Sequence, residues 1–218
     1  MKKKNLSTIY SGVNKSDPER RQNDLYETPP IATYILHKYG GLPENIVEPC
    51  AGRGSISVEL ERCGYNVKSF DLNEYPNTLC DVQTDQDVLE LPYQEGYEAL
   101  VTNPPYFKNL PMKIAKKGID EYRYTALFVR LTYLEGSARK KLFEQFPPSR
   151  ILFVSDRVKF KPDLVSEPIE KTDQIGGMIA YMWIIWSHDV GQSNTKIKWV
   201  SLSEEYDEWR AHYERTKK

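Results

Sequence analysis

The sequence predicts an α/β domain built on a mostly parallel sheet with helices on both faces. Three observations predict it. Short apolar runs alternate with amphipathic stretches of helical length along most of the chain. Glycine and proline stops separate them, as at Gly40-Gly41 and Gly64. Three of the runs end in glycine or in short polar side chains, the pattern of a ligand edge at the carboxyl ends of parallel strands.

The elements follow in order. The first 24 residues are polar and are expected to form a flexible basic arm. "YETPPIATYILHKYGG" reads as a helix with Thr28 as its cap, Pro29 at its first position and Ile31, Ile35 and Leu36 as its apolar stripe. "NIVEPCAGRG" (45–54) is a strand entering a glycine loop, and "SISVELERCG" the helix behind it, with Ile56, Leu60 and Cys63 on one face. "NVKSFDLN" is a strand ending in Asp71, and a weaker strand is expected around "DQDVLELP". "EALVTNPPY" is the fourth strand, followed by the basic helix "PMKIAKKGIDEY". "TALFVRLTYL" (125–134), the helix "EGSARKKLFEQF", "RILFVSDRV" (150–158) and "AYMWIIW" complete a seven-stranded sheet. Residues 25–202 are expected to form this one domain, 159–177 a polar loop within it, and 203–218 a charged C-terminal tail.

Composition excludes several classes. The formal net charge of −1 is not that of a uniformly basic nucleic-acid coat. Basic residues nevertheless cluster at 1–21, at 108–117 and at 139–161, patches that suit a phosphate backbone and equally suit an ordinary solvated surface. Three cysteines without metal-like spacing point to a reducing cytoplasm rather than a disulfide scaffold, and no metal is expected. No run has transmembrane length, and the N-terminus lacks the apolar core of a signal peptide, so no membrane partner is expected.

The candidate site lies where the strands end. Gly52 and Gly54 permit a tight turn and close approach of backbone to ligand. Asp71, at the end of the second strand, is placed to bind ribose hydroxyls. The loop lacks the third glycine of a dinucleotide fingerprint and the lysine of a phosphate loop. "TNPPY" ends a buried strand with an amide, two rigid prolines and an aromatic ring, since neither proline can donate a ladder hydrogen bond.

In combination, "YETPP" (26–30), "VEPCAGRGSIS" (47–57), "DL" (71–72) and "TNPPY" (102–106) resemble the class I S-adenosylmethionine-dependent methyltransferases, in particular those that act on adenine N6 in DNA. The resemblance spans residues 24 to 135. It implies a single Rossmann-like domain, S-adenosylmethionine as cofactor and DNA as partner, with RNA as the alternative. It implies that Tyr26, Thr28 and Pro29 line the methionine end of the cofactor, that Glu48, Pro49, Ala51, Gly52 and Gly54 wrap it, and that Asp71 with Leu72 holds its ribose end. Asp87 with Val88 would meet the adenine ring, although Asp85 lies nearby. Asn103 would face both cofactor and target. Asn103, Pro104, Pro105 and Tyr106 would grip the target amine, the Asn103 oxygen and the Pro104 carbonyl accepting its two hydrogens while Tyr106 stacks on the base. Phe107, Lys108 and Lys159 are the further substrate contacts expected.

Other readings of single residues are plainer. Cys50 follows a proline but sits in the glycine loop, where packing is its expected role. The Trp183–Trp186 pair reads as core, and Arg130 in an apolar strand is expected to pair with an acid. RNA methylation, methylation of a protein glutamine amide, or an inactive cofactor-binding subunit are the rival functions. With no separate target-recognition domain expected, the 159–177 loop, the N-terminal arm, a homodimer or a partner subunit would supply that recognition.

Overall fold

A computed structural model of the 218-residue chain describes residues 25–107, 109–160, 169–188 and 194–217. The expected N-terminal arm lies outside the described residues. Helix α1 (Pro30–Gly40) has Pro29 as its cap and Pro30 at its first turn, one residue later than expected. Thr28 does not cap it, because its hydroxyl is engaged by Asn103. Gly41 stops the helix with φ 73°, a left-handed conformation that glycine adopts without a Cβ penalty.

The remaining elements are β1 (Asn45–Glu48), α2 (Ser55–Arg62), β2 (Asn66–Phe70), β3 (Val82–Gln83), β4 (Ala99–Thr102), α3 (Leu110–Glu121), β5 (Tyr124–Arg130), α4 (Ser137–Gln145), β6 (Arg150–Val154), α5 (Lys171–Gln174), β7 (Tyr181–Ser187), β8 (Lys196–Val200) and α6 (Leu202–Thr216). They build an eight-stranded sheet in the order β3-β2-β1-β4-β5-β7-β6-β8. The first five strands in that order are mutually parallel; β7 runs antiparallel to β5 and β6, and β8 parallels β6.

Five expectations change. The sheet has eight strands rather than seven, because "KIKWV" pairs with β6 at the sheet edge. Its lysines are the kind of charge that blunts an exposed edge, which is why it reads poorly as a strand. The weak third strand forms at Val82–Gln83, ahead of "DQDVLELP", which instead turns and buries Val88 and Leu91. "TALFVRLTYL" divides after Arg130 into a strand and a 3-10 turn (Leu131–Leu134). The expected charged tail is helix α6, whose Trp209 and Tyr213 are fully buried. The polar loop also holds structure: α5 lies within it, and Val158 bridges Ile175 and Ile179; residues 161–168 are outside the described set.

Side chains alternate between two cores. Phe128, Tyr181, Trp183 and Ile185 face the layer containing α1, α2 and α6, while Leu127, Val129, Met182 and Trp186 face that of α3 and α4. Both tryptophans are core residues with satisfied N–H groups, Trp183 donating to the Ala32 carbonyl (2.8 Å) and Trp186 to that of Phe146 (2.9 Å).

Helix α6 docks on the first layer through polar contacts as well. Tyr34 donates to Glu208 (2.9 Å), and Lys38 pairs with Glu205 and Glu208 at 2.6 Å each. Trp209 Nε1 donates to the buried Glu59 carboxylate at 2.9 Å, and Arg62 lies 3.3 Å from its other oxygen. Burial pushes the Glu59 carboxyl up to about 7, with Trp209 and Arg62 opposing. The folded state therefore keeps this proton across a window in which the unfolded chain has lost it, from about 4.5 to about 7. The stability linked to this group is fully present at the acid end of that window and is lost as pH rises through it. Glu59→Gln, which keeps an acceptor for Trp209 without the charge, is expected to lose less thermal stability than the parent between about pH 5 and pH 8. Thermal unfolding at fixed ionic strength checks this; parallel slopes in the two proteins would refute it.

Candidate active site

Strand order reverses between β1 and β4: the chain goes from β1 to one side for β2 and to the other for β4. Such a switch point opens a crevice beyond the carboxyl ends of the parallel strands. A cleft of about 700 Å³ lies there, within the usual range for small-molecule sites.

The glycine loop after β1 forms its floor. Gly52 has φ 58°, and a Cβ on it would come 2.7 Å from Leu25 Cδ1. Gly54, at φ 90° and directly before α2, would press a Cβ into Cys80 Sγ. Asp71 follows β2 and receives the Gly52 N–H on one carboxylate oxygen (2.7 Å) and the Asn73 N–H on the other (2.8 Å). It is thereby fixed at the rim beside Leu72, which is 57% exposed. Glu48 ends β1 fully buried and accepts the Ser57 hydroxyl. Burial pushes its carboxyl well above the ordinary range, the Ser57 hydrogen bond opposing and Asp71 adding to it.

The segment ahead of α1 crosses this floor to reach β4. Glu27 pairs with Arg53 Nη1 of the loop (3.2 Å), and the Thr28 carbonyl accepts from Ser55 Oγ. On the other side, Asn103 Nδ2 donates to Thr28 Oγ1 (3.0 Å) and to the Tyr26 carbonyl (3.4 Å). A backbone carbonyl only accepts, so the amide nitrogen must face this segment. Asn103 Oδ1 is therefore turned towards the Tyr106 hydroxyl, 3.2 Å away; that hydroxyl also lies 3.2 Å from the Phe128 carbonyl. The "YETPP" segment thus orients the "NPPY" amide, a link that spacing alone does not reveal.

Most of the residues singled out from the sequence line this cleft: Tyr26, Thr28, Glu48, Pro49, Ala51, Gly52, Asp71, Leu72, Asp87, Val88, Asn103, Pro104, Pro105, Tyr106 and Phe107. Asp87 is among the lining residues and Asp85 is not. Pro29 caps α1 and Gly54 sits at the start of α2, both behind the lining. Lys159 is away from it, its ammonium on the Thr172 carbonyl (2.7 Å). Lys108 is outside the described residues.

Arg53, within the Glu48 to Gly54 stretch expected to wrap the cofactor, lines the cleft too. Sequence reasoning left out Leu25, Ser55, Asn73, Tyr75 and Gln86, which also line it; Ser55 stands in the quoted glycine-loop segment, so proximity was the available signal for it. Cys50 also lines it; burial pushes its thiol up, which disfavours a thiolate nucleophile.

The basic patches are partly neutralised within their own helices: Lys116 pairs with Asp120 (2.9 Å), Lys117 with Glu121 (2.7 Å) and Lys140 with Glu144. Away from the cleft, Glu59, Cys63 and His212 bring ligand-type atoms within 4.8 Å of one another, a grouping hidden by sequence distance. Its carboxylate is already engaged by Trp209 and Arg62. Among the described residues, no helix is long and apolar enough to cross a membrane.

Comparison with known proteins agrees with this architecture. A protein from Listeria monocytogenes assigned to the class I S-adenosylmethionine-dependent methyltransferases superposes with a TM-score of 0.55, over 97% of this chain and 75% of its own, at 13% identity. The methyltransferase subunit of a type I restriction-modification system from Streptococcus thermophilus gives 0.55 over 87% and 53%, at 14% identity. In sequence, the chain is 28% identical over 130 residues to the type II methyltransferase M.VspI of Vibrio sp. (strain 343), an alignment covering 50% of this chain and 31% of that protein. No protein-family model matches. The chain has the class I methyltransferase fold.

Gly54→Ala forces φ 90° on a residue with a Cβ and drives that carbon into Cys80. A loss of about 1–3 kcal/mol in urea unfolding is expected. An unchanged midpoint would mean that the loop relaxes freely.

Proposed function

We propose that the protein transfers the methyl group of S-adenosylmethionine to the exocyclic N6 amine of adenine in DNA, with the target base flipped out of the helix. The observation that carries this reading is the Asn103 amide, held with its oxygen towards Tyr106 at the end of β4, in the cleft that contains Asp71 and the glycine loop. The names of the Vibrio and Streptococcus relatives support a DNA substrate.

The cleft fits the cofactor in chemistry as well as size. Asp71 offers acceptors at the position suited to ribose hydroxyls, Leu72 and Val88 offer apolar surface for a flat ring, and Asp87 an acceptor for its amine. Glu48 and the backbone of Tyr26 to Thr28 face the other end. When bound, the cofactor supplies an electrophilic methyl group on a sulfonium. The protein's own groups do the positioning.

An adenine amine is a weak nucleophile because its lone pair is delocalised into the ring. It has two hydrogens, and Asn103 Oδ1 with the Pro104 carbonyl would accept them, favouring the pyramidal amine and directing its lone pair. An amide oxygen accepts more than one hydrogen bond, so the Tyr106 hydroxyl can stay in place. The Tyr106 ring would stack on the base, with Phe107, 61% exposed, at the rim. Fixed dipoles and orientation then supply the acceleration, and the methylated ammonium is acidic enough to lose its proton to water. A base within a duplex cannot reach such a cleft, which requires flipping. The polar loop, Lys108, Lys159 and the N-terminal arm would contact the strand, with target recognition supplied by them or by a partner subunit.

Labelled cofactor offered in parallel to unmethylated DNA, total RNA and protein extract tests the reading. N6-methyladenine in DNA is expected, reduced roughly 100-fold or more in Asn103→Ala; label only in RNA or protein would overturn the substrate. Thr28→Val is expected to lower kcat roughly tenfold while leaving cofactor affinity little changed, because the freed amide can rotate. Thr28→Ser, which keeps the hydroxyl, should restore turnover. A parallel loss in the two variants would remove Thr28 from the orienting role.

A further inference from the structure

Among the described residues two arginines line the cleft, and they differ in environment. Arg53 is paired with Glu27 at 3.2 Å. Arg130, the last residue of β5, is half-buried, and no carboxylate among the described residues lies within ion-pair distance of it. The acid partner expected from the sequence is replaced by aromatic rings. The guanidinium carbon lies 4.7 Å from the centre of the Tyr106 ring, and Nε donates to the Tyr181 hydroxyl at 3.3 Å. Tyr181 arrives by pairing directly opposite Arg130 across β5 and β7. Phe160 packs on Tyr181 (4.8 Å between centres) and on Tyr26 (5.9 Å), extending the aromatic wall.

A guanidinium taken partly out of water with no counter-charge among the described residues is costly, and rings compensate only in part. Such a position is stable once a ligand supplies the anion. The cleft is also polarised along its length. Asp71 and Asp87 occupy the end suited to a cationic cofactor and its hydroxyls, whereas Arg130 stands at the Asn103–Tyr106 end, where the substrate would enter. With Nε engaged on Tyr181, the terminal nitrogens keep the planar fork that matches phosphate oxygens.

We propose that Arg130 is the phosphate anchor of the nucleic-acid substrate, binding the backbone phosphate next to the nucleotide whose base lies on Tyr106. This rests on the reading of the cleft as a nucleic-acid methylation site and adds a specific contact to it. The guanidinium then couples two events: the phosphate takes up its charge while the base takes up the aromatic surface against which it rests.

The test uses the full chain with S-adenosylhomocysteine bound. Its probe is a pyrimidine single strand carrying one deoxyadenosine, alongside strands in which the linkage on either side of that residue is a neutral methylphosphonate. For the parent protein, one of the two neutral linkages is expected to weaken binding roughly tenfold. Arg130→Met should bind the native strand roughly tenfold more weakly and be insensitive to the substitution, with its log K against log salt slope shallower by about 0.7. Arg130→Lys, which keeps the charge without the fork, should fall between them, and it provides the comparison if the methionine variant unfolds.

Two outcomes would overturn the anchor: equal linkage sensitivity in parent and variant, or a loss confined to S-adenosylhomocysteine affinity, which would assign the guanidinium to the cofactor carboxylate. A linkage effect abolished by Arg130→Met, in a protein that methylates no adenine, would support the anchor and refute the function proposed above.

Discussion

An asparagine side chain is nearly symmetric in shape and opposite in chemistry at its two ends, so a site that uses one end must fix which way it faces. Here the Tyr26 carbonyl and the Thr28 hydroxyl take both hydrogens of the Asn103 amide. Everything else around the cleft serves to put those two acceptors there. The Glu27–Arg53 pair and the Ser55–Thr28 hydrogen bond tie the segment to the loop after β1, and the turn at Gly52 and Gly54 lets that loop pass close beneath it. The amide is fixed only because β1 and β4 are neighbours, with their carboxyl ends on one edge. A sheet that wound in one direction alone would not bring the entry segment and the proline turn together.

Electrostatics divides the cleft along the same line. Carboxylates from the ends of β1 and β2 crowd one half, closely enough that Glu48 is driven towards its neutral form by burial with Asp71 adding to it. Aromatic rings and a guanidinium line the other half. One half of the cleft therefore suits a cation and the other an anion. The low overall charge of the chain conceals this polarity, because it exists only over the dimensions of the cleft.

Much of this was legible in the sequence, for identifiable reasons. "TNPPY" and the glycine loop are local: proline geometry and absent side chains act within a few residues, so the chemistry can be read where it is written. The helix–strand alternation of residues 30–154 was equally local. What escaped depends on pairing at a distance. Arg130 looks like a candidate for an ion pair until antiparallel β7 brings Tyr181 opposite it. Helix α6 was hidden by its charges, although Leu202, Tyr206, Trp209 and Tyr213 recur at helical spacing and three of them are buried. Its acids meet the Lys38 ammonium and the Tyr34 and Tyr39 hydroxyls of α1, so what reads as solvated surface is half of an interface.

That interface joins two helices that lie far apart in the sequence. Helix α1, which carries the entry segment at its head, is clamped by a helix that begins at residue 202. During synthesis the glycine loop, the proline turn and the first strands can all emerge and pair before α6 leaves the ribosome. The clamp on α1 is made after them, across a sequence separation of 174 residues between Tyr34 and Glu208. Until then α1 lacks one of the surfaces that cover it, although α2 and the sheet, through Trp183 on the Ala32 carbonyl, already hold it. Ligand-binding competence is therefore expected to need α6 as well as the segment that holds the motifs.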